Sequence, residues 1–259
     1  MLLRRFKDTN MDICAIVPVK NFDQAKSRLS VLLRKEQRIE LSRFLLEDTL
    51  NTLLLCNELT KIILVSSDPL VKEIALNLGL DCLFQSKDMG VNSAVRFADN
   101  YLMTKGSWVS ITIPCDLPLL LPKDIDGLCQ VMPKEGAYVI LCPSYKFDGT
   151  NMLVRNPFDI ITDTKYDNDS FQGHLEASIE AGANTKVILS RGLMVDLDTP
   201  EDLELVLSEK ISSKKSISYL WQLKKNHSDP SSFSSSSSPA QVEPKTKNQN
   251  KNKKDLGNK

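Results

Sequence analysis

Apolar positions along this chain fall into two alternating patterns, short unbroken runs and longer stripes of helical period. Ile13 to Val19 is an apolar run with Pro18 near its end, the pattern of a first strand buried on both faces. Between Glu36 and Leu55, the side chains of Leu46, Leu50, Leu53 and Leu54 share one stripe of a helix. Ile62 to Val65 is the next strand, and Ser66-Ser67-Asp68-Pro69 then starts a helix ending at Gly79. Cys82 to Phe84 is a short strand and Val91 to Met103 a helix. The stretch from Ser107 to Pro122 follows, where Trp108, Val109, Ile111 and Ile113 form a buried strand that Pro114 stops.

The second half repeats the alternation. Pro122 to Met132 reads as a helix, Ala137 to Cys142 and Thr150 to Val154 as strands, and Ser170 to Ala181 as a helix closed by Gly182. Lys186 to Leu189 is a last strand. Thr199-Pro200-Glu201-Asp202 then supplies a cap, a first-turn proline and two acids suited to the helix dipole, and that helix runs to Glu209. Alternating strands and helices predict one α/β domain over residues 11–210, a Rossmann-like, mostly parallel sheet with helices on both faces. Residues 1–10 are an N-terminal extension, with Met11 a second candidate start. Residues 211–225 are a candidate docking helix acting through Tyr219, Leu220 and Trp221. The Ser- and Lys-rich residues 226–259 cannot bury a core and are expected to be a disordered tail.

Charge changes this picture only at the end of the chain. The formal net charge is zero, yet residues 211–259 hold ten lysines against three acidic residues, so the body is mildly acidic and the tail basic. The tail lacks interleaved aromatics, so no specific nucleic acid is expected as a partner. No segment reaches the roughly 18 apolar residues that span a bilayer, and no apolar leader opens the chain. The six cysteines stand singly without CxxC spacing, and only His174 and His227 could join them in a zinc site, so a reduced cytoplasmic protein is expected.

Three stretches offer chemistry. Asp116 sits just past the carboxyl end of its predicted strand, where open α/β sheets bind ligands, and a carboxylate there can hold a divalent metal against phosphates. An ordinary turn residue is the competing reading. The first glycine is Gly79, so no glycine-rich phosphate loop can follow the first strand. Lys20, Lys26 and Arg28, three cations within nine residues, are the replacement, Arg28 gripping phosphate bidentately and the lysines acting as point charges. A solvated basic loop is the competing reading. In Val195-Asp196-Leu197-Asp198, extended chain projects both aspartates to one side, where they repel unless a cation sits between them. Capping of the next helix accounts for one of them and leaves Asp196 unexplained. Thr150 and Ser170 are candidates to hold a small anion, although pattern alone favours ordinary turn and cap roles for both, and His174 reads as a packing residue.

Together, Ile16-Val17-Pro18-Val19-Lys20, Ala25-Lys26-Ser27-Arg28-Leu29, Val91-Asn92-Ser93-Ala94, Asp116-Leu117-Pro118-Leu119-Leu120, Asp148-Gly149-Thr150-Asn151, Ser170-Phe171 with His174, and Asp196-Leu197-Asp198-Thr199-Pro200-Glu201-Asp202-Leu203 run in order through the domain. This combination resembles the 2-phospho-L-lactate guanylyltransferase family, of the nucleotide-diphospho-sugar transferase fold shared with molybdenum-cofactor guanylyltransferases. The resemblance implies transfer of GMP from GTP to 2-phospho-L-lactate, phosphoenolpyruvate or a phosphoglycerate, with release of pyrophosphate, in biosynthesis of the deazaflavin coenzyme F420. It implies magnesium on Asp116, Asp196 and Asp198, the triphosphate on Lys20, Lys26 and Arg28, and the acceptor's carboxylate on Thr150 and Ser170. Asn92 and Ser93 are its candidate guanine contacts. The chain departs from the family at Asp167, where glycine is usual, so an unusual backbone angle is expected to matter there for acceptor choice. The rivals are a nucleotidyltransferase acting on a sugar phosphate or molybdopterin, a glycosyltransferase and a non-catalytic nucleotide-binding regulator. An interface patch cannot be told from core by pattern, so a homodimer stays open.

Overall fold

The computed structural model describes residues 12–106, 108–209 and 213–228. The expectations for residues 1–10, Met11, Ser107 and the tail from 229 onward lie outside the described residues. Strands β1 (Ile13–Val19), β2 (Lys61–Ser66), β3 (Asp81–Phe84), β4 (Val109–Thr112), β5 (Tyr138–Pro143), β6 (Thr150–Asn156) and β7 (Asn184–Val187) form one sheet in the order β3-β2-β1-β4-β6-β5-β7. All neighbours are parallel except β6, which runs antiparallel to both β4 and β5. That reversal puts the amino end of β6, with Thr150 and Asn151, at the edge where β1 and β4 end.

Helices α1 (Lys35–Leu54), α2 (Pro69–Asn77), α3 (Val91–Met103), α4 (Pro122–Val131), α5 (Ser170–Glu180), α6 (Arg191–Met194), α7 (Pro200–Ser208) and α8 (Lys215–Ser228) complete the elements. One core face packs Ala15, Val17, Leu64 and Ile111 against α1 residues Leu46, Leu50 and Leu53. The other packs Cys14, Ile16, Ile63 and Val65 against Ala94, Ala98 and Leu102 of α3. Helices thus cover both faces, which is why β1 and β2 read as continuous apolar runs rather than alternating ones.

Three details differ from the sequence pattern. β7 lies two residues earlier than expected, because Asn184 and Val187 pair with Tyr138 and Leu141, whereas Ser190 already opens α6. The crossover after β1 contains two short 3₁₀ turns, Phe22–Gln24 and Ser27–Val31. The compact unit continues to Gln222 and includes the first turns of α8; Leu223 to Lys259 form a second unit, of which the end of α8 is described. In the first unit, Tyr219 packs edge-on against Phe44 at 5.3 Å and Leu220 is buried, whereas Trp221 is 40% exposed. The carboxylate of Asp48, buried in α1, accepts the backbone N–H groups of Lys215 and Ser216 at 3.1 and 2.8 Å and so caps α8 from another helix.

Candidate active site

A cleft of about 430 Å³ opens along the carboxyl edge of β1, β2 and β4. Its middle is the crossover 20–28. Lys26 adopts a left-handed backbone, φ 54°, which costs a non-glycine residue about 1 kcal/mol or more. That conformation accompanies an inward-facing ammonium whose side chain is only 8% exposed. Lys26 Nζ donates to Asp116 Oδ2 at 2.6 Å and lies 3.9 Å from Asp198 Oδ1. Arg28 Nη1 donates to Asp198 Oδ2 at 2.9 Å from a side chain that is 71% exposed. Lys20 is exposed and lines the same cleft. Burial pushes the Lys26 ammonium down, but the charges of Asp116 and Asp198 outweigh it and leave its pKa above the ordinary lysine value.

The acidic side is assembled by the backbone. The Leu197 N–H donates to the Asp116 carbonyl at 3.0 Å, tying the loop after β4 to the segment 195–198. Val195 and Leu197 are buried, so Asp196 and Asp198 are turned toward the cleft. The following helix is capped by Thr199, whose hydroxyl accepts from the Asp202 N–H while Asp202 accepts from the Thr199 N–H, leaving Asp198 to its cations. Asp196 Oδ1 accepts from Asn151 Nδ2 at 3.1 Å. Burial, and then the neighbouring charge of Asp116, raise the Asp196 pKa, with the Asn151 bond opposing.

These carboxylates gather on a lysine rather than in a ready metal cage. Among the described residues, no group of three or more His, Cys, Asp or Glu side chains is arranged to hold a metal ion. The donor set itself, oxygen from three carboxylates, is the kind that magnesium takes. A cation held by these carboxylates would compete with the Lys26 ammonium for Asp116.

The other candidates divide. Thr150 lines the cleft, and its N–H donates to Ser170 Oγ at 2.8 Å, so Ser170 sits buried behind it. His174 is wholly buried: Nε2 accepts the Lys165 N–H at 2.8 Å and Nδ1 lies 3.0 Å from Thr150 Oγ1. Burial first of all lowers its pKa to about 4, so the ring is neutral near pH 7. With Nε2 accepting, the proton is on Nδ1 and is donated to Thr150, whose own hydroxyl proton is left for a ligand. Asn92 and Ser93 do not line the cleft. Asn92 Oδ1 accepts from Thr164 and the Tyr166 N–H, and Nδ2 donates to Asp167, so its amide fastens α3 to segment 164–167. Asp167 is exposed, and the left-handed residue of this loop is Asp169, φ 51°, not Asp167. Backbone angle therefore gives no reason for glycine at 167.

Sequence reasoning missed a fully buried arginine. Arg155 on β6 grips Asp99 on α3 through two bonds of 2.9 and 2.8 Å and donates to the Ile161 carbonyl at 3.0 Å. It joins the two elements whose first residues flank the cleft. The signal was an arginine directly after the apolar run Met152 to Val154.

The family model for guanylyl transferase CofC-like proteins matches residues 13–239. The chain belongs to that family. A phosphoenolpyruvate guanylyltransferase of Sphaerobacter thermophilus is 32% identical over 194 residues, 75% of this chain and 92% of the relative. A 2-phospho-L-lactate guanylyltransferase of Methanobrevibacter smithii is 32% identical over 217 residues, 83% and 92% of the two chains. A 3-phospho-D-glycerate guanylyltransferase of Colwellia psychrerythraea is 27% identical, covering 74% of this chain and 89% of the relative. Among solved structures, a nucleotide-diphospho-sugar transferase from Desulfovibrio desulfuricans superposes with a TM-score of 0.68 at 15% identity, over 84% of this chain and 96% of that one. The CofC-like chain is thus a nucleotidyltransferase enzyme with the nucleotide-diphospho-sugar transferase fold, as the resemblance implied.

Proposed function

We propose that this enzyme transfers GMP from GTP to a three-carbon phospho-acid, 2-phospho-L-lactate, phosphoenolpyruvate or a phosphoglycerate, releasing pyrophosphate in biosynthesis of coenzyme F420. The observation that carries this reading is the meeting of Asp116, Asp198 and Lys26, with Asp196 alongside, at the end of the basic crossover. Relatives named for all three acceptors support the substrate class.

Asp116, Asp196 and Asp198 would hold magnesium, which supplies charge neutralisation at the α- and β-phosphates when bound. Lys20, Lys26 and Arg28 would bind the triphosphate and stabilise charge passing to the leaving pyrophosphate. Thr150 would donate its hydroxyl proton to the acceptor's carboxylate, held in place by Ser170 and His174. An acceptor phosphate has a second pKa of about 6 and is mostly dianionic near pH 7, so it attacks the α-phosphorus without a general base. The neutral, buried His174 accords with that. Small-molecule substrates suffice for the reaction. We assign it to the cytoplasm, in keeping with six cysteines that form no disulfide, and among the described residues no helix is long and apolar enough to cross a membrane. A homodimer is compatible with the same chemistry.

The test is pyrophosphate release with GTP, magnesium and each phospho-acid in turn. Release with one of the three acceptors is expected. Asp116→Asn should abolish turnover with circular dichroism unchanged. Release only with a sugar phosphate, or full turnover of the variant, would overturn the proposal.

A further inference from the structure

The cleft extends away from the three aspartates to the carboxyl ends of β2 and β3, where Ser67, Gln85 and Asp88 line it. Asp88 lies in the loop between β3 and α3 and is partly exposed. Its Oδ1 accepts the N–H of Gly90 at 2.9 Å and its Oδ2 the N–H of Asn21 at 3.4 Å. Gly90, at φ 83°, makes the turn that brings its N–H to the carboxylate. Backbone N–H groups of two separate loops thus fix the plane of this one side chain. A carboxylate offers about four acceptor positions, and two remain. No cation pairs with Asp88 among the ion pairs of the described residues.

The nucleoside and the acceptor both join the α-phosphate. With the acceptor on the Thr150 side and the triphosphate on the crossover, the β2–β3 end is left for the base. Guanine presents two adjacent donors, N1–H and the 2-amino group, beside the O6 acceptor. We propose that Asp88 is the guanine-specifying residue, its carboxylate accepting N1–H and the 2-amino group while the Gln85 amide, on the same wall, donates to O6. Adenine turns an acceptor nitrogen toward the carboxylate and is repelled. This assignment rests on the GTP reading above. It replaces Asn92 and Ser93, which the fold keeps off the cleft wall.

The test is equilibrium binding of GTP, ITP, ATP and XTP, with magnesium, to the full chain and to Asp88→Asn. The wild type should prefer GTP to ITP, which lacks the 2-amino group, by about tenfold or more, the scale of one hydrogen bond to a charged group. Asp88→Asn should lose that preference and gain affinity for XTP, whose O2 accepts from the new amide. If the variant keeps the wild-type GTP:ITP and GTP:XTP ratios, or weakens all four nucleotides equally, Asp88 is only a loop brace and the inference fails. In that case wild-type GTP preference leaves the function proposal standing. A wild type that does not prefer GTP to ATP overturns both. Gln85→Leu, which leaves the bonds of Asp88 in place, should weaken GTP without favouring XTP.

Discussion

Replacing Arg155 by methionine tests the brace beneath the cleft. Methionine keeps much of the length and apolar stem but removes three charge-assisted bonds, two to Asp99 and one to the Ile161 carbonyl. Arg155 is 0% exposed and Asp99 8%, so the stranded carboxylate has little access to water. Breaking one side of a buried pair costs about 3–5 kcal/mol. In a domain of roughly 200 residues each kcal/mol lowers Tm by about 2–4 °C, which gives a fall of roughly 6–20 °C. Burial already raises the Asp99 pKa with Arg155 present, and removing the arginine raises it further. The unfolded carboxyl ionises at lower pH than the folded one, so the deficit of Arg155→Met grows as pH rises and shrinks in acid. Removing both charges in Arg155→Met/Asp99→Leu should recover much of the loss, because neither ion is then left unpaired. Thermal unfolding followed by tryptophan fluorescence at pH 5 and pH 8 reads all three proteins. A single variant within about 2 °C of wild type, or a double variant less stable than the single, would refute the account.

His174 gives a second pH signature. Its folded pKa of about 4 lies below the ordinary 6.5, so the unfolded chain binds the extra proton between these values. The stabilisation is complete above pH 6.5 and is lost as pH falls toward 4, a change of about 3 kcal/mol at most. His174→Gln should flatten stability across that window in urea titrations; an unchanged slope would assign the acid sensitivity elsewhere. Lys26→Met should lower turnover by about 100-fold or more through loss of a buried charge from the phosphate site. It should also tighten manganous-ion binding to the nucleotide-free protein, measured by electron paramagnetic resonance, because no ammonium competes for Asp116. Weaker manganese binding would show that Lys26 does not compete for that carboxylate.

The order of strands and helices was legible because β1, β2 and β5 are buried on both faces and leave unbroken apolar runs. Asp196 and Asp198 were legible as a pair because extended chain fixes which side chains share a side, with Val195 and Leu197 marking the inward one. Asp116 was legible from its place after a strand's carboxyl end. Local pattern also located the basic crossover, since three cations without glycine stand out next to a strand end. What joins these segments is long-range and leaves no local trace. The Lys26–Asp116 contact spans 90 positions and the Arg155–Asp99 pair 56. Asp48 capping α8 and Asn92 holding segment 164–167 are likewise unions of distant residues, each of which looks unremarkable in its own neighbourhood. The sequence by itself determined which residues carry charge at the ends of which strands. Only the tertiary structure decided that a lysine ammonium sits among the carboxylates and that Asp88, rather than Asn92, borders the cleft. Both outcomes depend on backbone paths, the left-handed turns at Lys26 and at Gly90, that are selected by packing across distant segments.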